Sequence, residues 1–314
     1  LLAGESGISL LTDEWVAKYE LPVAIAGKAK VPAAEVLAPQ EVKRLDPSSQ
    51  FALVAAREAW ADAGAPNVAP ERLAVEFSTG IGGVWTLLDA YDTLRERGVR
   101  RVLPMTVPML MPNGPAAAVG MELAARGGVR TAVSACASST EAIANAIDRL
   151  QTGEVDIVVA GGCAQALHPM PIAAFAAMHA TSRNNENPTL ASRPYDKNRD
   201  GFVMGEGGGA MVLETEEHAL ARGAKIYAEL AGGAVTSDAH HITAPDPEGT
   251  GFTVLAIKER TAPPTINLDD QDPEIPLDVV VTPRALPDGP IVAISNSFGF
   301  GGHNAVVAFR SYEG

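Results

Sequence analysis

Apolar residues change their spacing several times along the chain, and each change marks an element. From Phe51 to Ala63, Leu53, Ala56 and Trp60 recur on one helical face, and Gly64-Ala65-Pro66 ends the run. Leu73 to Phe77 is a short apolar strand that runs into the glycine turn Gly80-Ile81-Gly82-Gly83. Val129 to Ser134 predicts a second strand, and Ile143, Ala146, Ile147 and Leu150 follow at helical spacing. After Gly153, Val155 to Ala160 is almost wholly apolar, as expected for a strand covered on both faces. Further strands are predicted at Ala210 to Leu213, Ile226 to Leu230, Ile291 to Ser295 and Ala305 to Phe309, with a Pro- and Asp-rich loop from Ala262 to Pro290. Strands alternating with helices predict α/β layering, and no short repeat is present.

Composition narrows the function. The chain has 314 residues, 46% hydrophobic and 20% charged, which fits a folded protein of one large or two ordinary domains. Its net charge of −14 argues against broad affinity for nucleic acid or anionic membranes, so an acidic partner needs a local basic patch. No apolar run is long enough to span a bilayer, and two cysteines make no disulfide framework. A cytoplasmic enzyme is the expectation. Leu1 opens the sequence mid-stream, so the chain reads as incomplete at its start.

One segment stands out chemically. In Thr131-Ala-Val-Ser-Ala-Cys136-Ala-Ser138-Ser-Thr-Glu141 a strand delivers a cysteine to a turn, and Ser138 with Glu141 predicts a capping box for the helix behind it. Free N–H groups and the dipole at that helix end favour thiolate over thiol and could cradle an oxyanion. A small cysteine packed in a turn fits the same residues, so both readings stand at this point. Cys163, after Gly161-Gly162, reads as core. The glycine-rich Asn296-to-Asn304 segment is not a phosphate loop, because no Lys-Ser/Thr follows and a strand comes next. Asp196 to Gly201 imitates a calcium loop but carries two cations and lacks the closing Glu, so it reads as a salt-bridged turn. His240 and His241 are adjacent and diverge on any element, and no metal-ligand spacing occurs.

Together, Ser134-Ala-Cys136-Ala-Ser138, Arg193-Pro-Tyr-Asp196 through Glu206, Ser237-Asp-Ala-His-His241, Pro263-Pro-Thr-Ile-Asn-Leu-Asp269 and Asn296-Ser-Phe-Gly-Phe-Gly-Gly302 resemble the β-ketoacyl-acyl-carrier-protein synthases. The similarity is greatest to the elongating type II enzymes of bacterial fatty-acid synthesis. It implies a thiolase-like five-layer αβαβα fold of two similar halves, 1–224 with the nucleophile and 225–314 with the gating loops. It also implies a homodimer served by acyl carrier protein, with no metal or other cofactor. Such an enzyme moves an acyl group onto its cysteine and then condenses it with malonyl-acyl carrier protein.

Carried over by motif, Cys136 is the nucleophile, and the backbone N–H groups of Cys136 and Phe300 form the oxyanion hole. Phe298 to Gly302, including Gly301, resembles the gating loop, and Ser237 to Thr243 a second gate. Ile81 and Phe175 match acyl-pocket positions. Arg100 and Arg101 match carrier-protein docking positions, although a solvated helix-end cluster explains them equally.

The departures are specific. The family's two catalytic histidines belong to motifs expected between the Asp238 loop and Pro263-Pro264, and neither motif is present. An internal stretch after Gly251 is therefore expected to be missing, as is a strand before Leu1. Because those histidines stabilise the enolate formed on decarboxylation, their absence leaves open a partner subunit that does not condense; a polyketide ketosynthase is the other alternative, since the pathway is set by pocket shape that the residues barely reveal.

Overall fold

The computed structural model describes residues 2–238 and 259–312, which fall into two compact units. The first contains residues 2–30, 166–206 and 259–289; the second contains 31–165, 207–238 and 290–312.

The second unit is built on a four-stranded sheet in the order Val129–Arg130, Leu73–Ser78, Ile157–Gln165, Glu206–Glu214. Leu73–Ser78 runs parallel to Ile157–Gln165, with Leu73 opposite Ile157 and Ser78 opposite Gly162. Every residue of Leu73–Ser78 is buried. Alternation explains how. Leu73, Val75, Phe77, Ile157 and Val159 face Ala52 and Ala56 of the Pro47–Asp62 helix and Ala116 and Val119 of Gly114–Glu122. Ala74, Val158 and Ala160 face the opposite way, onto the Ser138–Gln151 helix.

That helix is covered on its other side too. A second sheet, antiparallel in the order Val292–Gly299, His303–Arg310, Glu229–Ser237, places Val307 and Phe309 against Ile143, Ala144 and Ala146. Gly233 allows this approach, since a Cβ there would lie 2.9 Å from that of Ala144. The layers of this unit are thus helices, sheet, helix, sheet. The central helix is the one that follows Cys136. Burying a large apolar side chain between such layers contributes about 2 kcal/mol.

The predicted strands are observed with two differences. Of Val129 to Ser134 only Val129–Arg130 pairs, with Val75 and Glu76. Beyond it, side chains replace the ladder: the Ala132 N–H donates to Ser78 Oγ at 3.1 Å and the Ser134 N–H to Ser138 Oγ at 2.9 Å. The strand predicted at Ile226 to Leu230 lies later, at Glu229–Ser237, because the glycine-rich stretch after Leu230 pairs with His303–Arg310.

The first unit has its own core of Leu11, Val23, Ile25, Leu167, Ile172 and Met204. Here the Asp196 turn is structural, as read from the sequence. Its carboxylate accepts N–H bonds from Asn198 at 2.7 Å and from Asp269 and Asp270 at 3.0 Å each. These amide donors hold the Asp196 carboxyl down at about 2. Lys197 pairs with Asp270, and Arg199 with Asp272 at 2.8 Å. With both Asp196 oxygens engaged, the turn fastens the 259–289 segment to the unit rather than offering ligands to a cation.

Candidate active site

The chain turns sharply where it passes from sheet to central helix. Ala135–Ala137 form a single 3₁₀ turn, and the helix begins at Ser138. Ala135 sits at φ 49°, a left-handed conformation that costs a non-glycine residue on the order of 1 kcal/mol. Ser138 holds it there. Its hydroxyl accepts the Ser134 N–H at 2.9 Å and donates to the Ala135 carbonyl at 2.7 Å, which also accepts the Ser138 N–H of the 3₁₀ turn. The expected capping box does not form: Ala137 is the N-cap, and Ser138 is the first helical residue. Demand from the strained turn outweighs the helix cap. Gly80, at the end of the Leu73–Ser78 strand, completes the support, since a Cβ there would stand 2.9 Å from the Ala135 carbonyl oxygen.

Cys136 occupies the middle of this turn with its thiol exposed, one residue before the N-cap. Cys163 is different. It is buried in the second unit's core with Phe77 and Val159, only 6% exposed, where desolvation pushes its thiol well above the ordinary value and keeps it protonated.

A glycine hairpin lies over the elbow. Gly299 pairs with His303, and the intervening Phe300-Gly301-Gly302 turn needs φ of 90° at Gly301 and 78° at Gly302, which glycine supplies. Gly299 touches the elbow backbone so closely that a Cβ would invade the Ser134 carbonyl oxygen and lie 3.2 Å from the Ala137 nitrogen and 3.3 Å from that of Cys136. Cys136 and the Phe298-to-Gly302 segment, separated by most of the sequence, are therefore brought together. Phe298 and Phe300 are half-buried.

Ile81 is exposed in the turn whose Gly80 backs Ala135. Phe175 belongs to the first unit, on the Pro169–Ala177 helix, with its ring edge-on to Phe202 at 5.3 Å. Arg100 and Arg101 lie on a short 3₁₀ turn, Val99–Arg101, after the Val84–Arg97 helix, and both are exposed. Thr243 lies outside the described residues, as do His240 and His241. Sequence reasoning missed the supporting roles of Ser138, Gly80 and Gly299. A glycine turn two residues beyond a strand-like run was the available signal for Gly80.

An accessible thiol on a strained turn, with amide groups packed beside it inside an α/β layer stack, suits enzymes that hold acyl groups as thioesters during carbon–carbon bond formation. The chain belongs to the beta-ketoacyl synthase family: residues 1–219 match the model described as "Beta-ketoacyl synthase, N-terminal domain". It is 39% identical to 3-oxoacyl-[acyl-carrier-protein] synthase 2 of Mycobacterium tuberculosis over 385 positions, covering 99% of this chain and 92% of the relative. The same-named protein of Staphylococcus aureus is 35% identical over 390 positions, covering 99% and 93%. Both alignments are longer than this chain, so the relatives carry residues with no counterpart here, in keeping with the expected gap.

The structure of a beta-ketoacyl synthase from Burkholderia phymatum superposes with a TM-score of 0.87 at 26% identity, covering 99% of this chain and 94% of that one. A type II polyketide ketosynthase in complex with its acyl carrier protein also gives 0.87, at 24% identity, over 99% and 93%. The fold is therefore that of the ketosynthases, the thiolase-like architecture.

Proposed function

We propose that this chain is an elongating β-ketoacyl-acyl-carrier-protein synthase of fatty-acid synthesis. The Cys136 thiolate attacks the carbonyl of an acyl-acyl-carrier-protein thioester, the carrier thiol leaves, and the acyl group stays on the cysteine. Malonyl-acyl carrier protein then loses carbon dioxide, and the resulting carbanion attacks the cysteine thioester. Cys136 departs as thiolate, and the product is a β-ketoacyl chain two carbons longer. One observation carries the reading: Gly299 rests on the backbone around an exposed Cys136, so the next amide in the hairpin, that of Phe300, can join the Cys136 N–H in binding the oxyanion. Losing such a donor typically costs about 3 kcal/mol of transition-state stabilisation. Ile81, Phe175, Phe298, Gly301 and Thr243 are proposed to shape and gate the acyl pocket, and 1–224 and 225–314 to be the two thiolase-like halves.

Fatty-acid over polyketide use rests on the names of relatives at 35–39% identity, since the polyketide neighbours match in fold alone. A second reading, acyl loading without condensation as in a partner subunit, is favoured by the absence of both histidine motifs. One experiment separates them. Incubated with acyl- and malonyl-acyl carrier protein, the protein should gain the acyl mass on Cys136 and release a β-ketoacyl product. An adduct without product selects the second reading, and no adduct overturns both.

The partner is proposed to be acyl carrier protein, an acidic molecule that a chain of net charge −14 can attract only through a local basic surface. Arg100 and Arg101, exposed and unpaired among the described residues, offer that surface. Their joint replacement by Glu should raise KM for carrier-protein thioesters about tenfold while leaving KM for small thioesters within about twofold. Equal changes would remove the docking role. The protein is further read as a cytoplasmic homodimer, to be checked by fractionation and by sedimentation at twice the 32.6 kDa chain mass.

A further inference from the structure

Cys136 and Phe300 lie on different elements, so the spacing of their two amides is set by tertiary alignment rather than by local geometry. The Gly299 contact permits the approach but has no direction, and the glycines of the hairpin turn make its tip soft. A directional link exists nearby. Thr140, one helical turn beyond Cys136, shares a hydrogen bond of 2.6 Å between its Oγ1 and the Oγ of Ser297, three residues before Phe300. Thr140 is 8% exposed, so its hydroxyl would lose its partner in a largely dry setting if Ser297 moved away. Ser297 is opposite Ala305 in the hairpin register, on the face that packs toward the central helix.

We infer that the Thr140–Ser297 pair is a clasp that fixes the distance between the two oxyanion donors, making both residues positioning residues for acyl transfer to Cys136. The clasp holds the stem of the hairpin to the nucleophile's helix, while the Phe300-to-Gly302 turn beyond it keeps its freedom. The inference rests on the proposed role of Cys136. Small displacements of a catalytic group reduce rate steeply, whereas binding of the remote acyl chain depends on other contacts.

The test uses the whole chain and a small acyl thioester. Thr140→Val and Ser297→Ala should each slow acylation of Cys136 at saturating thioester about tenfold, with KM within about twofold. The double variant should be no slower than the worse single one, because either change already opens the clasp. Thr140→Ser, which keeps the hydroxyl, should stay within about twofold of the native rate. Alkylation of Cys136 by iodoacetamide needs the thiol but no oxyanion hole, so it should be unchanged throughout. The clasp is refuted if the single effects multiply in the double variant, if alkylation falls with acylation, or if KM carries the loss. Should Thr140→Val fail to fold, the smaller Ser297→Ala change decides alone. A native protein that is never acylated removes the proposed function itself, whereas normal acylation in both single variants removes only the clasp.

Discussion

Cys136→Ala should abolish the acyl adduct and the β-ketoacyl product together, slowing turnover by about 10⁴-fold or more, because no other group on the elbow can form the thioester. Alanine fits the turn, so the fold should survive. The hydrogen bonds that hold the elbow belong to Ser134, Ala135 and Ser138, not to the thiol. Iodoacetamide provides the control. The native protein should be labelled at Cys136, which is exposed, and the variant should not be labelled while folded. Cys163 is shielded on two counts: it is buried within the second unit's core, and burial disfavours its thiolate, the form that reacts. Undiminished turnover in the variant would sink the nucleophile assignment. Labelling of Cys163 at a similar rate would instead show that the core opens readily.

The sequence disclosed the elements whose pattern comes from burial. Leu73 to Phe77 and Val155 to Ala160 are apolar at every position but Glu76 and Asp156 because helices cover both faces, and the periodic apolar residues of Ser138–Gln151 lie between two sheets. The nucleophile was legible for a similar reason, since a strand, a cysteine and a helix start are all local signals. What was not legible depends on distant pairing. Ser138 looks like a cap by sequence spacing, and only the left-handed φ of Ala135 diverts its hydroxyl into the turn. The Val84–Arg97 helix was missed because Val84 is its only buried residue, which leaves little apolar stripe to detect. Gly299 reads as a hairpin glycine until Ser134 and Cys136 are found against it. The basic and acidic members of a buried pair, Arg149 and Glu76, gave no sign either, as each looks like an ordinary surface residue when read alone.

That pair carries the largest stability effect expected among the described residues. Arg149 is 2% exposed and Glu76 1%, with Arg149 Nη1 donating to Glu76 Oε1 at 3.0 Å. Arg149 also donates to the Gly127 carbonyl and, at 2.7 Å, to Glu154. Gly128, at φ 107°, leaves room for the guanidinium, where a Cβ would stand 2.9 Å from Nη2. Removing one member of a buried pair strands the other, typically at a cost of about 3–5 kcal/mol. Arg149→Met should therefore lower the urea midpoint sharply, while pairing it with Glu76→Leu should recover most of the loss. The deficit should also depend on pH. Desolvation pushes the Glu76 carboxyl up, and the hydrogen bond from Arg149 opposes that push, so the variant carboxyl should rise further. A carboxyl whose folded value exceeds its unfolded one binds a proton more readily when folded, so stability falls as pH climbs from the unfolded value toward the folded one. Arg149→Met should accordingly be closer to the native protein at pH 5 than at pH 8, and an equal deficit at both would show that Glu76 is not the charge left stranded.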